Sequence, residues 1–409
     1  MAIISAFQGL RPTKELASQV ASLPYDVLNS AEARILADKN PYSFLHITKA
    51  EVDLPEGTDI HSDRVYHKAA DNLFIFRDTK ILVRETSPAY YIYELTMAGR
   101  KQTGLVCVSA VSDYENNIIK KHELTRPEKE LDRINHMRIT GAQTGNVFLA
   151  YKSNAALSRL IANWKHKNQT EYDFVAVDGI SHRVWVVDDP NTILEITSIF
   201  RDQVEYTYIA DGHHRAASAA KVKNALGSEA NPDAEYFLTT LFPSDELRIM
   251  DYNRIVKDLN GNNTREFLDK LNKNFEIEPS PVAYSPDQPH RFGMYLDGKW
   301  YRLECKENSF PVDPIGVLDV SILQDNILSP ILNIKDPRTD NRVDFVGGIR
   351  GLDELVKKVD SGQAAAAFSL YPVSMDQLFL IADHGEIMPP KSTWFEPKLR
   401  DGLLTHLIR

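Results

Sequence analysis

The run Tyr206-Thr207-Tyr208-Ile209-Ala210-Asp211-Gly212-His213-His214-Arg215, continued by Ala216 to Ala220, constrains this chain more than any other stretch. Aromatic and β-branched residues pass into Asp-Gly and then into an alanine-rich segment, which is the order of a strand, a tight turn and a helix. The first N–H groups of such a helix have no partner within it and carry the positive end of its dipole, so the turn is a place for an anion. Gly212 lets the backbone approach a phosphate closely, while His213, His214 and Arg215 can add donors. The plainer alternative is a helix that Asp211 caps and Gly212 turns, with the histidines at the surface. A doubled histidine followed by arginine favours the anion site.

Composition narrows the setting of that site. With 409 residues, 43% hydrophobic and 25% charged, the chain has room for two or three domains or one large intertwined one. A net charge of −10 argues against a general nucleic-acid surface, which needs a basic stripe, but leaves room for a small anion pocket. Met1 to Phe7 lacks the basic start and the apolar length of a signal peptide. No apolar run approaches the roughly eighteen residues of a membrane span, so a cytoplasmic protein is expected. Cys107 and Cys305 are too few for a disulfide framework and read as small buried hydrophobes in strand-like stretches.

Periodicity and punctuation divide the chain into an N-terminal α/β segment (1–88), a central domain (89–260) and a C-terminal α/β domain (261–409) that packs on the first. The N-terminal segment is expected to hold a strand over residues 1 to 8, a short helix near Lys14 to Leu23, and a helix opened by an Asn29–Glu32 capping box. A strand over Ser43 to Thr48 and a helix over Ser62 to Phe76 complete it. In the central domain Ala89 to Leu95 and Gly104 to Val108 read as strands joined near Gly99. A Thr125–Glu128 capping box with Pro127 opens a helix to about Gly141, and Val147 to Tyr151 is a strand. Strands and helices then interleave through the central motif to Tyr236–Leu241, giving a mixed α/β class. The C-terminal domain offers a hairpin turning at Asp297-Gly298, helices over Leu318–Leu328 and Leu352–Val359, a strand over Ala364–Leu370 and a helix from Ser374 to Gly385.

Two further groups can carry chemistry. In His122-Glu123-Leu124-Thr125-Arg126, Glu123 is a carboxylate beside a helix start, able to activate a hydroxyl or hold a metal through water; the alternative is a solvated capping cluster. In Pro389-Pro390-Lys391-Ser392-Thr393, a rigid double proline presents a lysine and two hydroxyls to a phosphate or carboxylate; the alternative is an exposed loop. Adjacent His213 and His214 diverge by about a hundred degrees on a helix and seldom share one ion, and no zinc-type spacing occurs. A Mg²⁺ carried by a nucleotide is the fitting ion. Neither a Walker A sequence nor a Gly-x-Gly-x-x-Gly fingerprint is present.

Asp211 to Arg215, set between strand and alanine-rich helix, resembles the nucleotide-binding box of the ParB/sulfiredoxin-like superfamily, and most of all its free-serine kinase branch. Pro24-Tyr25-Asp26-Val27, Asn40-Pro41, His122-Glu123-Leu124-Thr125, Asp132-Arg133 and Met388-Pro389-Pro390-Lys391-Ser392-Thr393 are similar to the signatures of the family called domain of unknown function 1015. Trp394 stands where that family's C-terminal signature has a tyrosine-like position. The resemblance implies a ParB/sulfiredoxin-like mixed sheet with N- and C-terminal elaborations. It also implies a phosphotransferase using ATP or ADP with Mg²⁺ on a small hydroxylated metabolite, free L-serine before others. In that reading Gly212, His213, His214 and Arg215 hold the nucleotide phosphates. Glu123, His122, Arg126 and Asp211 serve the chemistry, and Tyr25, Asp26, Lys391, Ser392 and Thr393 meet the substrate. A non-catalytic ParB-like nucleotide switch and a metal-dependent hydrolase are the alternatives. Sulfiredoxin-like redox chemistry would need a reactive cysteine beside the phosphate box.

Overall fold

The structure, a computed structural model, describes residues 1–227 and 231–409. The chain divides into two compact units, Met1–Leu247 with Pro397–Arg409, and Arg248–Glu396. The polar turn at Asn260 lies inside the second.

A mixed nine-stranded sheet forms the centre of the first unit. Its order is Ile119–Lys120, Thr207–Asp211, Val147–Tyr151, Tyr236–Pro243, Arg100–Ala110, Tyr90–Met97, Ser181–Val187, Tyr172–Val175, with Ile4–Ser5 added along Arg100–Ala110. Thr207–Asp211 runs parallel to Ile119–Lys120, and Tyr236–Pro243 parallel to Val147–Tyr151; the other pairs are antiparallel. Every residue of Val147–Tyr151 is buried, as a strand covered on both faces requires. Ala98 and Gly99 turn the Tyr90–Arg100 hairpin with φ of 50° and 78°, the left-handed pair that suits a two-residue connection. Leu105, Val147, Leu149, Ile209 and Leu241 meet Ala216, Ala219, Ala220 and Val222 in one core.

A helical layer packs separately. Val20, Phe44, Ile47, Leu73 and Phe76 gather with Leu10, Ala142 and Leu407. The segment Pro397–Arg409 threads through this region, pairing Asp401 with Ser22, Thr405 with Leu10, and His406–Leu407 with Ala142–Gln143. Among the described residues no helix is long and apolar enough to cross a membrane.

The second unit is built on a six-stranded antiparallel sheet in the order Phe275–Ser280, Lys299–Cys305, Arg291–Leu296, Ala366–Leu370, Tyr252–Val256, Val343–Gly347. Its hairpin turns at Asp297-Gly298, both at positive φ, as expected. Leu355 of the Gly351–Asp360 helix packs with Ile255, Tyr295, Trp300 and Ala367. Ser374 caps Met375–Asp383 in a full capping box with Gln377, and Gly385 follows at φ 70°.

Several local expectations give way to packing. Ser43 to Thr48 is not a strand: Leu45–Thr48 is one helical turn, and Phe44, Leu45, Ile47 and Thr48 are all buried. Burial at that spacing outweighs the β propensity of Ile and Thr. The Asn29–Glu32 capping box forms as written, but the Thr125–Glu128 box does not. Arg126 occupies the N-cap without a side-chain bond, while the Thr125 hydroxyl donates to buried Glu130, which Lys221 also reaches. Of residues 1 to 8, only Ile4–Ser5 pairs as a strand, with Phe7 making a single bridge to Ala89.

Candidate functional site

The central motif folds as its sequence dictates. Strand Thr207–Asp211 ends in Gly212, at φ 97° and ψ 28°, and the helix His213–Leu226 begins at once. Among the described residues no side chain caps that helix, so the N–H groups of its first turn have no partner within it or from a cap. Ala216, Ala217, Ser218, Ala219 and Ala220 are buried because the helix lies close to Pro127–Thr140, where the Ser218 hydroxyl donates to the Glu130 carbonyl at 3.1 Å.

Charges concentrate around the turn. Arg215 is only 8% exposed, and its guanidinium faces Asp26 at 3.4 Å, Asp211 at 3.5 Å and the Asn146 carbonyl. A buried cation needs such partners, since its desolvation is otherwise uncompensated. Its Nε has none. Lys398 approaches the same Asp211 oxygen at 3.3 Å. Burial pushes the Asp211 carboxyl upward, but Lys398 and Arg215 outweigh it and hold the group far below the usual carboxylate range. Asp401, 1% exposed, has one carboxylate oxygen without a partner. Its carboxyl is pushed up to about 7 by burial, with Arg215 opposing. A Cβ on Gly145 would lie 3.3 Å from Arg215 Cδ and 3.5 Å from Asp401 Oδ1, so the glycine lets these groups close in.

The histidines turn toward the His122–Arg126 loop and not toward each other. His213 Nε2 accepts from the His122 N–H at 3.5 Å, leaving Nδ1 facing Glu123 Oε2 at 3.7 Å. The His122 ring meets the His213 ring edge-on at 4.6 Å. His214 Nε2 accepts from the Arg126 N–H at 3.0 Å. Burial holds His122 down to about 4 and His213 well below the ordinary value; His214 is lowered by burial and nearby Lys129. All three are therefore neutral rings near pH 7 that latch the loop to the helix start. Glu123 is 49% exposed beside them, and Arg126 is exposed.

A cavity of about 550 Å³ adjoins this centre and shares Tyr25, Asp26 and His214 with it. That is the size of an ordinary small-molecule site, about 300–1,000 Å³. The Arg133 guanidinium stacks on the Tyr25 ring at 3.9 Å and pairs with Asp132 at 2.6 Å. Thus Tyr25, Asp26, Asp211 to Arg215, His122 and Glu123 are brought together. Lys391, Ser392 and Thr393 belong to the other unit, where Lys391 sits at φ 59°, its carbonyl accepts from Arg254, and the Ser392 hydroxyl donates to the Pro389 carbonyl.

Reading the sequence passes over Lys398, Asp401 and Asn146. Arg400-Asp401-Gly402, a charged pair before glycine amid Leu399, Leu403 and Leu404, is the pattern that marks the first two. Arg400 is buried against His182 at 3.3 Å and Asp178, which anchors the strap that carries Lys398 and Asp401.

Cys107 and Cys305 are free, and burial pushes both thiols up to about 12, the opposite of an activated cysteine. Among the described residues no three His, Cys, Asp or Glu side chains converge as a metal site. A Mg²⁺ would therefore need phosphate oxygens to complete its shell around one carboxylate, as nucleotide-borne Mg²⁺ does.

Comparison with known proteins places the chain. No curated protein matches it. Solved structures that resemble it include a free serine kinase variant in complex with AMP, at 12% identity and TM-score 0.37, covering 73% of this chain and 92% of that one. A conserved hypothetical protein from Pyrococcus furiosus is similar at 14% identity and TM-score 0.36, covering 73% and 93%. SbnI from Staphylococcus aureus, with a C-terminal truncation, is similar at 10% identity and TM-score 0.38, covering 72% and 85%. The family described as protein of unknown function DUF1015 matches residues 4–321, more than half of the chain, and this protein belongs to that family.

Proposed function

We propose that this protein is a nucleotide-dependent phosphotransferase acting on a small hydroxylated metabolite, with ATP or ADP as donor. The observation that carries the reading is the uncapped helix start at Gly212, flanked by Lys398 and Arg215 and adjoining the 550 Å³ cavity. Phosphates lie on the backbone N–H groups of that turn, where the helix dipole and two cations offset their charge. His213 and His214 contribute by fixing the His122–Arg126 loop against the turn. Glu123 and Asp26 flank the turn on the loop side and the cavity side. Asp26 takes the proton of an acceptor held in the cavity; Glu123 would hold Mg²⁺, which would neutralise charge on the transferring group. Transfer of this kind is mostly positioning and electrostatics, and needs no covalent nucleophile. The family resemblance names free L-serine as the first acceptor to try.

The test incubates the full chain with Mg²⁺, ATP or ADP, and pooled amino acids and alcohols, and seeks a phosphorylated product by mass spectrometry. Glu123→Gln and Arg215→Ala run alongside. A product lost in both variants supports the reading. Nucleotide binding that Arg215→Ala abolishes, without any product, would favour a ParB-like switch instead.

A further inference from the structure

The cavity beside Asp26 has a wall chemistry that narrows what it admits. Its buried cations are already matched: Lys49 pairs with Glu51 at 3.1 Å and Arg133 with Asp132 at 2.6 Å. Asp132 also accepts from Tyr66 at 2.9 Å and His61 at 3.1 Å. His136 is held neutral by burial, at about 4, and its Nε2 bonds to the Ile47 carbonyl. Lys129, the other lysine of the lining, is solvent-exposed, so a carboxylate or phosphate taken to the buried wall meets no uncommitted cation there among the described residues, and its desolvation would go uncompensated.

Acceptors are in better supply. Glu51 is nearly buried, with Oε1 taken by Ser30 at 2.9 Å and by Lys49, while among the described residues none bonds Oε2. Asp26 binds Arg215 through Oδ2, and among the described residues none bonds its Oδ1. Each carboxylate oxygen accepts two hydrogen bonds, so these groups suit hydroxyl donors. Val65 and Ala69 add buried apolar lining to the same cavity. Its volume of about 550 Å³ lies within the ordinary small-molecule range of about 300–1,000 Å³.

We infer that this cavity takes a neutral polyhydroxylated ligand of the cyclitol or sugar class, its hydroxyls on Glu51 and Asp26 and a C–H face on Val65 and Ala69. The catalytic half of the inference rests on the phosphotransferase reading; the binding half does not. In transfer, a ligand hydroxyl oxygen forms the new O–P bond and the nucleotide's bridging P–O bond breaks. The shortened nucleotide leaves with the electron pair, and the hydroxyl proton passes to Asp26.

Calorimetry on the full chain without nucleotide, using myo-inositol, D-glucose, D-mannitol and L-serine as probes, tests the binding. At least one polyol is expected to bind, with affinity reduced about tenfold or more by Glu51→Gln through loss of a charge-assisted acceptor. Ile60→Trp, at an exposed position on the cavity wall, is expected to weaken it as well without touching the core. Binding of L-serine but of no polyol, binding of none of the probes, or polyol binding that neither variant changes would each overturn the inference. The same probes with ATP and Mg²⁺ separate the two readings. A polyol that binds but is not phosphorylated leaves the cavity assignment standing and removes the phosphotransferase. Serine phosphorylation without polyol binding does the reverse.

Discussion

Lys398 and Asp211 meet across 187 positions of sequence, Nζ to Oδ2 at 3.3 Å, at the mouth of an uncapped helix. The pair joins the Pro397–Arg409 strap to the Gly212 turn, so the candidate site is complete only once that strap is in place. Lys398→Met is expected to raise the Kd for ATP about tenfold or more, measured by calorimetry, because a cation beside the phosphates is lost.

The same substitution has a pH signature. Asp211 is depressed in the folded state, so its contribution to stability is present above the unfolded value of about 3.9 and is lost as pH falls through the folded one. Without Lys398 that contribution shrinks. Thermal melts should therefore show a gap between wild type and Lys398→Met that is full near pH 6 and narrows below about pH 4.

Asp401 behaves in the opposite sense. Burial raises its carboxyl to about 7 in the folded state, so the folded chain binds an extra proton between the unfolded value, about 3.9, and that point. The stabilisation is present below the unfolded value and is lost as pH rises through about 7. Asp401→Asn removes this titration. Its Tm relative to wild type is expected to climb as pH goes from 4 to 7 and then level off, which a series of melts checks.

Gly212→Ala tests the turn. At φ 97° a side chain is strained, and the added Cβ would lie 3.2 Å from Arg215 Nε and 3.4 Å from the Val147 backbone. A stability loss of about 1–2 kcal/mol by chemical denaturation is expected, together with loss of nucleotide binding as Arg215 is displaced.

Gly402→Ala probes the strap from a distance. Gly402 has φ 89°, and a Cβ there would sit 2.6 Å from Cγ of buried Phe44. Strain and overpacking together should cost about 2 kcal/mol or more. A variant that melts lower and also binds ATP more weakly would show that the strap transmits the defect to Lys398.

Much of this was legible in the residues themselves. Tyr206 to Ala220 specified strand, turn and helix because propensity, a left-handed glycine and a run of small residues all agree locally. The Asn29–Glu32 and Ser374 helix starts and the Gly99 and Asp297-Gly298 turns were readable for the same reason. Where local signals competed with burial, burial prevailed: Phe44 and Ile47 curl into a helical turn to reach Val20 and Leu73, and Thr125 leaves its capping role for buried Glu130.

By itself, then, the sequence determined the mixed α/β class and the strand–Gly212–helix turn, both of which depend on residues close together in the chain. Only the tertiary structure decided which charges surround that turn. Asp26, Asn146, Lys398 and Asp401 reach Arg215 and Asp211 through strand pairing and core packing between distant segments. The roles of His213 and His214 were decided the same way, since burial strips them of charge and orients them to the His122–Arg126 loop. Desolvation and long-range pairing are properties of the folded interior, and no spacing of residues along the chain encodes them.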